Sequence, residues 1–394
     1  MALHHPRRIP LVAGVALVSA LALGSSVHPE TPSSTVGLWA IGTDHAASVS
    51  STGYGVVVLN RWDEALIPSI RAAQPGVRIL LYQDISSTRS YACRDGVDDV
   101  LLPTGVGYCW ARAHRPRWFL RDTLGRRVEW RGYEGHWWMD VGRRGYQRRW
   151  ARRVISALSQ GGWDGVMADN AISVPAYYLH PGQQLRRYPT AESYADATES
   201  FLSSVGPLVQ AAGFEFLPNI GGADLGPDQL SSWLPFTSGV LREFWARYGT
   251  GDGPPFTGWD WERMIDQMDA VQGAGKTFLA VTYGDLSNTR LMRYARASFL
   301  VGWSGADGAL FYRPDAAVDP WAPDWTTSIG DPVGPRVAVG GAWRRDYTDG
   351  VAVVNPSTAP QDVPLGGTYF TPEGTPVSTI LLPAGTGAVL RAGT

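Results

Sequence analysis

The sequence predicts a (β/α)8 TIM barrel followed by a small C-terminal antiparallel β-sandwich. Three observations carry that prediction. Short β-rich apolar runs alternate with helical patterns, the runs number eight, and the texture changes near Arg336 to a Val/Gly/Thr/Pro-rich alternation with no helical period. Strand and helix in alternation imply parallel strands joined by crossover helices, and eight repeats close a barrel. At 394 residues the chain exceeds the size at which one core stops growing, so a large domain with a small one is expected.

The N-terminus carries Arg7 and Arg8, an apolar run from Ile9 to Gly24, and then Ser25 and Ser26. Charged, apolar and small-residue regions in that order read as a secretory signal peptide over residues 1–28, cleaved between Gly24 and Thr35. The run is short for a membrane span, and an uncleaved anchor is the alternative. The mature chain is then expected to be secreted or attached to the cell envelope, with no membrane span. A Pro/Ser/Thr-rich linker fills 29–35.

The barrel is expected over 36–330. Its strands are read at Gly55 to Asn60, Val77 to Asp84, His136 to Val141, Trp163 to Asp169, Phe214 to Ile220, Gly239 to Trp245, Lys276 to Tyr283 and Gly308 to Arg313. Helical stretches fall at Tyr146 to Gln160, Ala191 to Ala212, Trp259 to Gln272 and Asn288 to Val301, mostly closed by glycine as a C-cap. The gap from 85 to 135 is too long for an ordinary connection and reads as a loop insertion over one barrel end. It holds both cysteines, Cys93 and Cys109, and an oxidising compartment predicts a disulfide between them. Residues 336–394 form the sandwich, with strand patterns at Gly350 to Asn355 and Ser378 to Leu382.

Composition narrows the function. The net charge of -2 gives no support to a nucleic-acid partner. Seventeen tryptophans exceed what packing needs, and sugar faces stack on exposed indoles. Seven histidines show no paired metal-ligand spacing, which argues against a zinc- or amidohydrolase-type barrel, and no metal is expected.

In such a barrel the chemistry sits at the C-terminal ends of the strands. Asp84 ends the second strand, Asp140 the third and Asp169 the fourth, while Glu243 lies near the end of the sixth; Asn60, Asn219, Tyr283, Tyr312 and Arg313 complete the ring. Carboxylates, amides and phenols are what cleavage of a sugar requires: an acid, a nucleophile or base, and partners for hydroxyls. Asp169 is assigned as nucleophile and Glu243 as acid/base, because the Leu241 to Trp245 setting is apolar and favours a held proton. Substrate contacts are assigned to Asp84, Asp140, Asn170, Asn219, Tyr283, Trp62, Trp245, Tyr312 and Arg313, with Trp137 and Trp138 as further stacking candidates.

Each assignment has a plainer competitor. Asp169 could cap the next helix, Glu243 could pair with Arg242 or Arg247, and Asp84 and Asp140 could hold the ring together. Asp164 lies at the opposite barrel end and reads as scaffold, whereas Asp285 could cap a loop or touch substrate. Arginines 143, 144, 148, 149, 152 and 153 load one helix; this reads as a solvated face, the sharper alternative being contact with an anionic polymer.

Asp140, the Tyr146 to Trp150 stretch and the Gly162-Trp163-Asp164-Gly165-Val166-Met167-Ala168-Asp169-Asn170 segment resemble hypothetical glycosyl-hydrolase-like family 15. That group in turn is similar to the endo-α-1,4-polygalactosaminidase barrels. The resemblance runs over most of the barrel, and Asn355-Pro356 fits it too. It implies a nucleophile at the end of strand four and an acid/base on strand six, matching Asp169 and Glu243. It implies no cofactor, and a preference for α-linkages. The expected function is a secreted, retaining glycoside hydrolase acting on a polysaccharide or cell-envelope glycan. The competing classes are a carbohydrate-binding barrel without catalysis, and a metal-assisted hydrolase of phosphodiesters or acyl groups using Asp84, Asp140 and Asp169 as oxygen ligands.

Overall fold

The computed structural model describes residues 55–220, 225–249, 251–285, 287–313 and 327–393. The expected signal peptide and linker lie outside the described residues. No helix among those residues is long and apolar enough to cross a membrane.

Seven parallel strands form the framework: β1 (Val56–Leu59), β2 (Arg78–Asp84), β5 (Gly165–Asp169), β6 (Glu215–Pro218), β7 (Gly239–Arg242), β8 (Thr277–Tyr283) and β9 (Gly308–Arg313). The first four pair in that order, as do the last three, and a parallel bridge from Asn219 to Leu241 joins the two groups. The strand interiors are mostly apolar and buried, as parallel strands covered on both faces should be, with Gln83 and Thr282 the buried polar exceptions and Tyr82 half-buried. Three of these strands begin on glycine, and at two of them the neighbouring backbone is too close for a side chain. A Cβ on Gly165 would stand 2.5 Å from the Glu215 carbonyl oxygen, and one on Gly239 2.3 Å from that of Thr277.

Four crossover helices fall where the periodicity puts them, within two residues at each end: α3 (Arg144–Gly161), α4 (Ala191–Ala211), α6 (Trp259–Gly273) and α7 (Thr289–Gly302). The shorter α1 (Ile67–Ala73) and α5 (Pro227–Trp233) are not among the helices expected from the sequence. Gly162 ends α3 in the left-handed conformation at φ 72°. Thr190 and Ser193 cap α4 reciprocally, each hydroxyl accepting from the other's backbone N–H at 3.1 and 3.2 Å.

One expected strand is not part of the parallel array. His136–Trp138 (β4) pairs antiparallel with Ser87–Arg89 (β3), and Glu129 and Phe119 bridge to Trp137 and Met139. β2 pairs directly with β5, Asp84 opposite Asp169, which leaves no slot between them. The apolar run does form a strand, but it packs within the insertion, where Trp138 is buried and His136 and Trp137 are half-buried. The insertion also contains α2 (Tyr108–His114) and the Cys93–Cys109 disulfide, with Cα atoms 5.3 Å apart.

The C-terminal part is antiparallel as expected, but it is one six-stranded sheet and not two packed sheets. Its strands are β10 (Val337–Val339), β11 (Ala342–Tyr347), β12 (Gly350–Asn355), β13 (Gln361–Phe370), β14 (Pro376–Leu382) and β15 (Thr386–Ala392), ordered β10-β11-β12-β15-β13-β14. The register of β13 shifts between Pro364 and Tyr369, and bulges of this kind let a sheet curl. Alternate residues of β12 then serve two cores: Val351 and Val353 join Val363, Leu365 and Leu382, while Ala352 and Val354 join the core of the parallel array. The sheet is anchored on α7, where Tyr347 donates its hydroxyl to the Leu300 carbonyl at 2.6 Å and Arg345 Nε reaches that of Val301 at 2.9 Å.

Candidate active site

Asp169 ends β5 half-buried, and its two oxygens face a set of donors. Oδ1 accepts from the backbone N–H of Asn170 at 2.8 Å and from Asn219 Nδ2 at 2.9 Å. Oδ2 accepts from the Tyr82 hydroxyl and, at 3.3 Å, from Asn170 Nδ2. Asn170 holds this geometry in the left-handed region, φ 64°, which asparagine tolerates better than most residues. Its amide also reaches Asp84 Oδ2 at 3.0 Å, so the ends of β2 and β5 are tied together.

Glu243 follows β7. Oε2 accepts from Asn219 Nδ2 at 2.8 Å, and Oε1 from the Tyr283 hydroxyl at 2.8 Å. Its bonds therefore come from Asn219 and Tyr283 instead of Arg242 or Arg247, and Arg247 Nε donates to the Tyr283 carbonyl at 2.8 Å. Phe244, at φ 60°, is a bulky residue in the left-handed region, the kind of strain that persists where surrounding packing fixes it. That packing is visible: its ring lies 4.8 Å from Tyr248 and 5.7 Å from Tyr283.

One amide nitrogen thus serves both carboxylates. The 2.9 Å and 2.8 Å bonds laid end to end limit the two accepting oxygens to about 5.7 Å apart. If each takes its own N–H of the planar amide, the separation is about 5 Å. Two carboxyls this close oppose each other's ionisation. Asp169 is pushed up to about 7, first by burial, then by the charges of Glu243 and Asp84, against the opposing bonds from Tyr82 and Asn219.

Other assigned residues take different places. Asp84 is 1% exposed and saturated. Its oxygens accept from the backbone N–H groups of Ser86 and Ser87, both their hydroxyls, Asn170 and Arg89 Nη2, the last at 3.0 Å. Burial alone would raise its pKa; Arg89 and these bonds outweigh that and hold it below the usual carboxylate value. It supports Asn170 and cannot touch substrate. Asp140 is likewise buried, accepting from the Tyr188 hydroxyl at 2.5 Å and ion-paired with Arg143 at 2.7 Å and Arg187 at 3.4 Å. Its substrate assignment gives way to one that ties the start of α3 to the loop before α4.

Trp245 is fully buried, its indole N–H bonded to the Ala295 carbonyl at 3.1 Å, and Trp138 is equally enclosed against Trp130; neither can stack on a sugar. The Tyr312 side chain is buried, its hydroxyl donating to the Asp285 carbonyl at 2.9 Å, so it packs beneath a loop instead of binding substrate. Trp62 stands 43% exposed in the turn after β1, and Trp137 is half-buried in β4. Arg313 ends β9, and its side chain lies outside the described residues. Asp164 accepts from Arg71 at the start of β5, which fits the scaffold reading, and Asp285 caps its own loop through Ser287.

Tyr82, Tyr133, Tyr178 and Tyr248 were not singled out from the sequence. Tyr82 bonds Asp169 directly. Tyr133 and Tyr178 lie close enough to feel Glu243 and Asp169: burial first, then that pair, holds both phenols above their ordinary range. The available signal for Tyr82 was position, since it shares a strand face with Asp84 two residues on. The metal-ligand reading of Asp84, Asp140 and Asp169 has no support here, because arginines occupy the first two. Among the described residues the one tight group of ligand-type atoms is Cys93, Asp98 and Cys109, two of them joined in the disulfide.

The family described as hypothetical glycosyl hydrolase family 15 matches residues 71–351. The chain belongs to that family. It is a glycoside hydrolase by membership, and the matched span contains both Asp169 and Glu243. No curated protein matches the chain. Among solved structures it is similar to Aspergillus fumigatus Ega3 in complex with galactosamine, at 14% identity and a TM-score of 0.47, over 73% of this chain and 94% of that one. It is also similar to the maltogenic α-amylase AmyB of Thermotoga neapolitana, at 9% identity and a TM-score of 0.49, over 92% and 99%. A third is the Geobacillus thermoleovorans α-amylase complexed with acarbose, at 10% identity and a TM-score of 0.48, over 91% and 98%.

Proposed function

We propose that this glycoside hydrolase is exported, has a (β/α)8-type barrel, and cleaves an α-linked polysaccharide or cell-envelope glycan with retention of configuration. Asp169 attacks the anomeric carbon, and Glu243 protonates the departing oxygen and then activates water. The observation that carries this reading is the shared Asn219 amide, which limits the two accepting oxygens, one from each carboxyl, to about 5.7 Å apart. Retaining enzymes hold their pair at about 5 to 5.5 Å, whereas inverting ones need roughly 6.5 to 9.5 Å to admit a water. Seven parallel strands in sequence order support the barrel. Export is supported by the charged, apolar and small-residue order at the N-terminus and by the disulfide. The α preference rests on the family resemblance.

The donor sets support the division of roles. Asp169 accepts from three amide N–H groups and one phenol, an arrangement that stabilises an anion at the moment of attack. Glu243 accepts from one amide and one phenol, and a phenol can turn to accept a proton instead. The elevated Asp169 carboxyl favours a second reading, the same pair with roles exchanged.

The test is the stereochemistry of the first product, followed by NMR on an activated α-glycoside. Retention is expected, and an inverted first product sinks the mechanism. Azide then assigns the roles. Asp169→Gly with azide should give the β-glycosyl azide, and Glu243→Ala with azide the α-azide; the reverse pattern would establish the exchanged reading.

A further inference from the structure

We infer that α3 and Arg61 form a second binding site, sharing no residue with the carboxylate pair, for an anionic polysaccharide chain. Arg61, Arg149, Arg152 and Arg153 converge on one cavity of about 440 Å³, completed by Val100, Ser156, Ala157 and Gln160. No carboxylate lines it. Arg149, Arg152, Arg153, Ser156 and Gln160 fall at helical spacings that keep them on one face of α3, a stripe of about 16 Å at 1.5 Å per residue.

Among the described residues none of the four arginines makes an ion pair. Arg61 is held in place by neutral acceptors, the Val100 carbonyl at 3.3 Å and Gln160 Oε1 at 3.5 Å. Arg149 lies on the face of Trp110, 3.2 Å from the ring centroid, with its Nε buried and unpartnered. Burial first, and then Arg153 and Arg152, oppose its charge. The acid it feels, Asp98, is engaged at the start of α2, accepting from the backbone N–H groups of Cys109 at 2.6 Å and Trp110 at 2.8 Å. Four like charges held together without an ion pair among the described residues, with Asp98 the acid that Arg149 feels, are relieved by an anion.

A groove about 16 Å long suits several anionic groups in series better than a single ion. Guanidinium forks match carboxylates and oxyanion esters, while Ser156 and Gln160 suit sugar hydroxyls. Calling the chain a polysaccharide rests on the glycoside hydrolase reading.

The test is titration calorimetry across a salt series with polygalacturonate, dextran sulfate, neutral dextran, inorganic phosphate and a single-stranded oligonucleotide. Binding to one or both anionic polysaccharides is expected, weakening with salt. Which of them binds tells a carboxylate chain from an oxyanion ester. Arg152→Gln/Arg153→Gln, on the exposed face, should lose about tenfold in affinity with a flatter salt dependence, while hydrolysis of a small neutral glycoside is unchanged. Arg61→Gln should act in the same direction. Equal binding of neutral dextran, phosphate binding as tightly as either polymer, or tighter oligonucleotide binding lost in the same variants would each overturn the proposal. So would variants that bind like the parent. Polymer binding that survives in an inactive Asp169→Asn leaves this site standing, so it and the proposed function fail separately.

Discussion

Asp169 and Glu243 are tied through a single nitrogen, since Asn219 Nδ2 donates to Oδ1 of the first at 2.9 Å and to Oε2 of the second at 2.8 Å. Replacing Asn219 with Ala removes the tether and one donor from each carboxylate. We expect kcat/KM to fall about a hundredfold to a thousandfold, the range seen when one preorganised donor is lost. A merely structural role would not move the pH profile. Because the Asn219 bond lowers the Asp169 pKa, its loss should shift the alkaline limb to higher pH.

That limb is itself predictable. The pair works with one proton between its two carboxyls; that proton, held mainly on Asp169, is lost at about 7, and attack by Asp169 draws on the form in which it has moved to Glu243. Activity should therefore decline above about pH 7 with unit slope. Glu243→Gln removes the neighbouring charge, so the Asp169 carboxyl should titrate at lower pH, read by the carboxyl infrared band or by carbon NMR. The linkage has a definite sign. A carboxyl whose native pKa is raised binds more protons folded than unfolded, so it makes stability fall as pH rises from about 4 to about 7. In Glu243→Gln the unfolding free energy should lose less over that window than in the parent. An unchanged slope would refute the electrostatic cause.

Four crossover helices and seven of the eight strands expected in the parallel array were legible because apolar runs record burial. Short helices such as α2 and most strands of the C-terminal sheet were not legible one by one, and β4 shows where that record stops. His136 to Val141 reads as a short apolar run like those of the parallel strands, yet such a run carries no information about which strand is the partner. The carboxylate pair was legible from position at strand ends. Asp84 and Asp140 ended strand-like runs too, but which carboxylates stay open depends on arginines, at 89, 143 and 187, that only the fold brings near. Trp245 misled for a related reason. A left-handed Phe244 after Glu243 directs the chain inward, and no residue type announces that bend.

Arg89 and Asp84 form a buried pair, 5% and 1% exposed, and this predicts a stability effect that is also catalytic. Arg89→Met leaves an unpaired carboxylate in the interior, at a cost of about 3 to 5 kcal/mol in urea unfolding at neutral pH. The carboxylate that Arg89 holds low contributes stability above about pH 4, lost as pH falls through its depressed native value. The penalty of Arg89→Met should accordingly shrink in acid, where Asp84 is protonated in both proteins. Asp84→Asn with Arg89→Met should recover part of the loss at pH 7, since no charge is then stranded. A double variant no more stable than the single would refute this account. Activity should drop in the single variant as well, because Asp84 holds the Asn170 amide that reaches Asp169.

The Cys93–Cys109 disulfide closes a loop of 16 residues, and its removal should cost about 3 kcal/mol through the entropy of the unfolded chain. The effect should be uneven. α2 has seven residues, too few to persist on helical propensity, so the cross-link and the Asp98 bonds to Cys109 and Trp110 keep it in place. Cys93→Ser/Cys109→Ser should therefore exchange amide hydrogens faster between residues 92 and 118 than in β5 to β8, and reduced parent protein should match it. Trp110 is the shelf on which Arg149 rests, so binding of the anionic polymer should weaken in the same variant. Hydrolysis of a small glycoside should persist, because Asp169, Asn219, Glu243 and Tyr283 hold one another without any residue of that loop. Uniformly accelerated exchange over the whole chain would show instead that the insertion and the parallel array unfold as one cooperative unit.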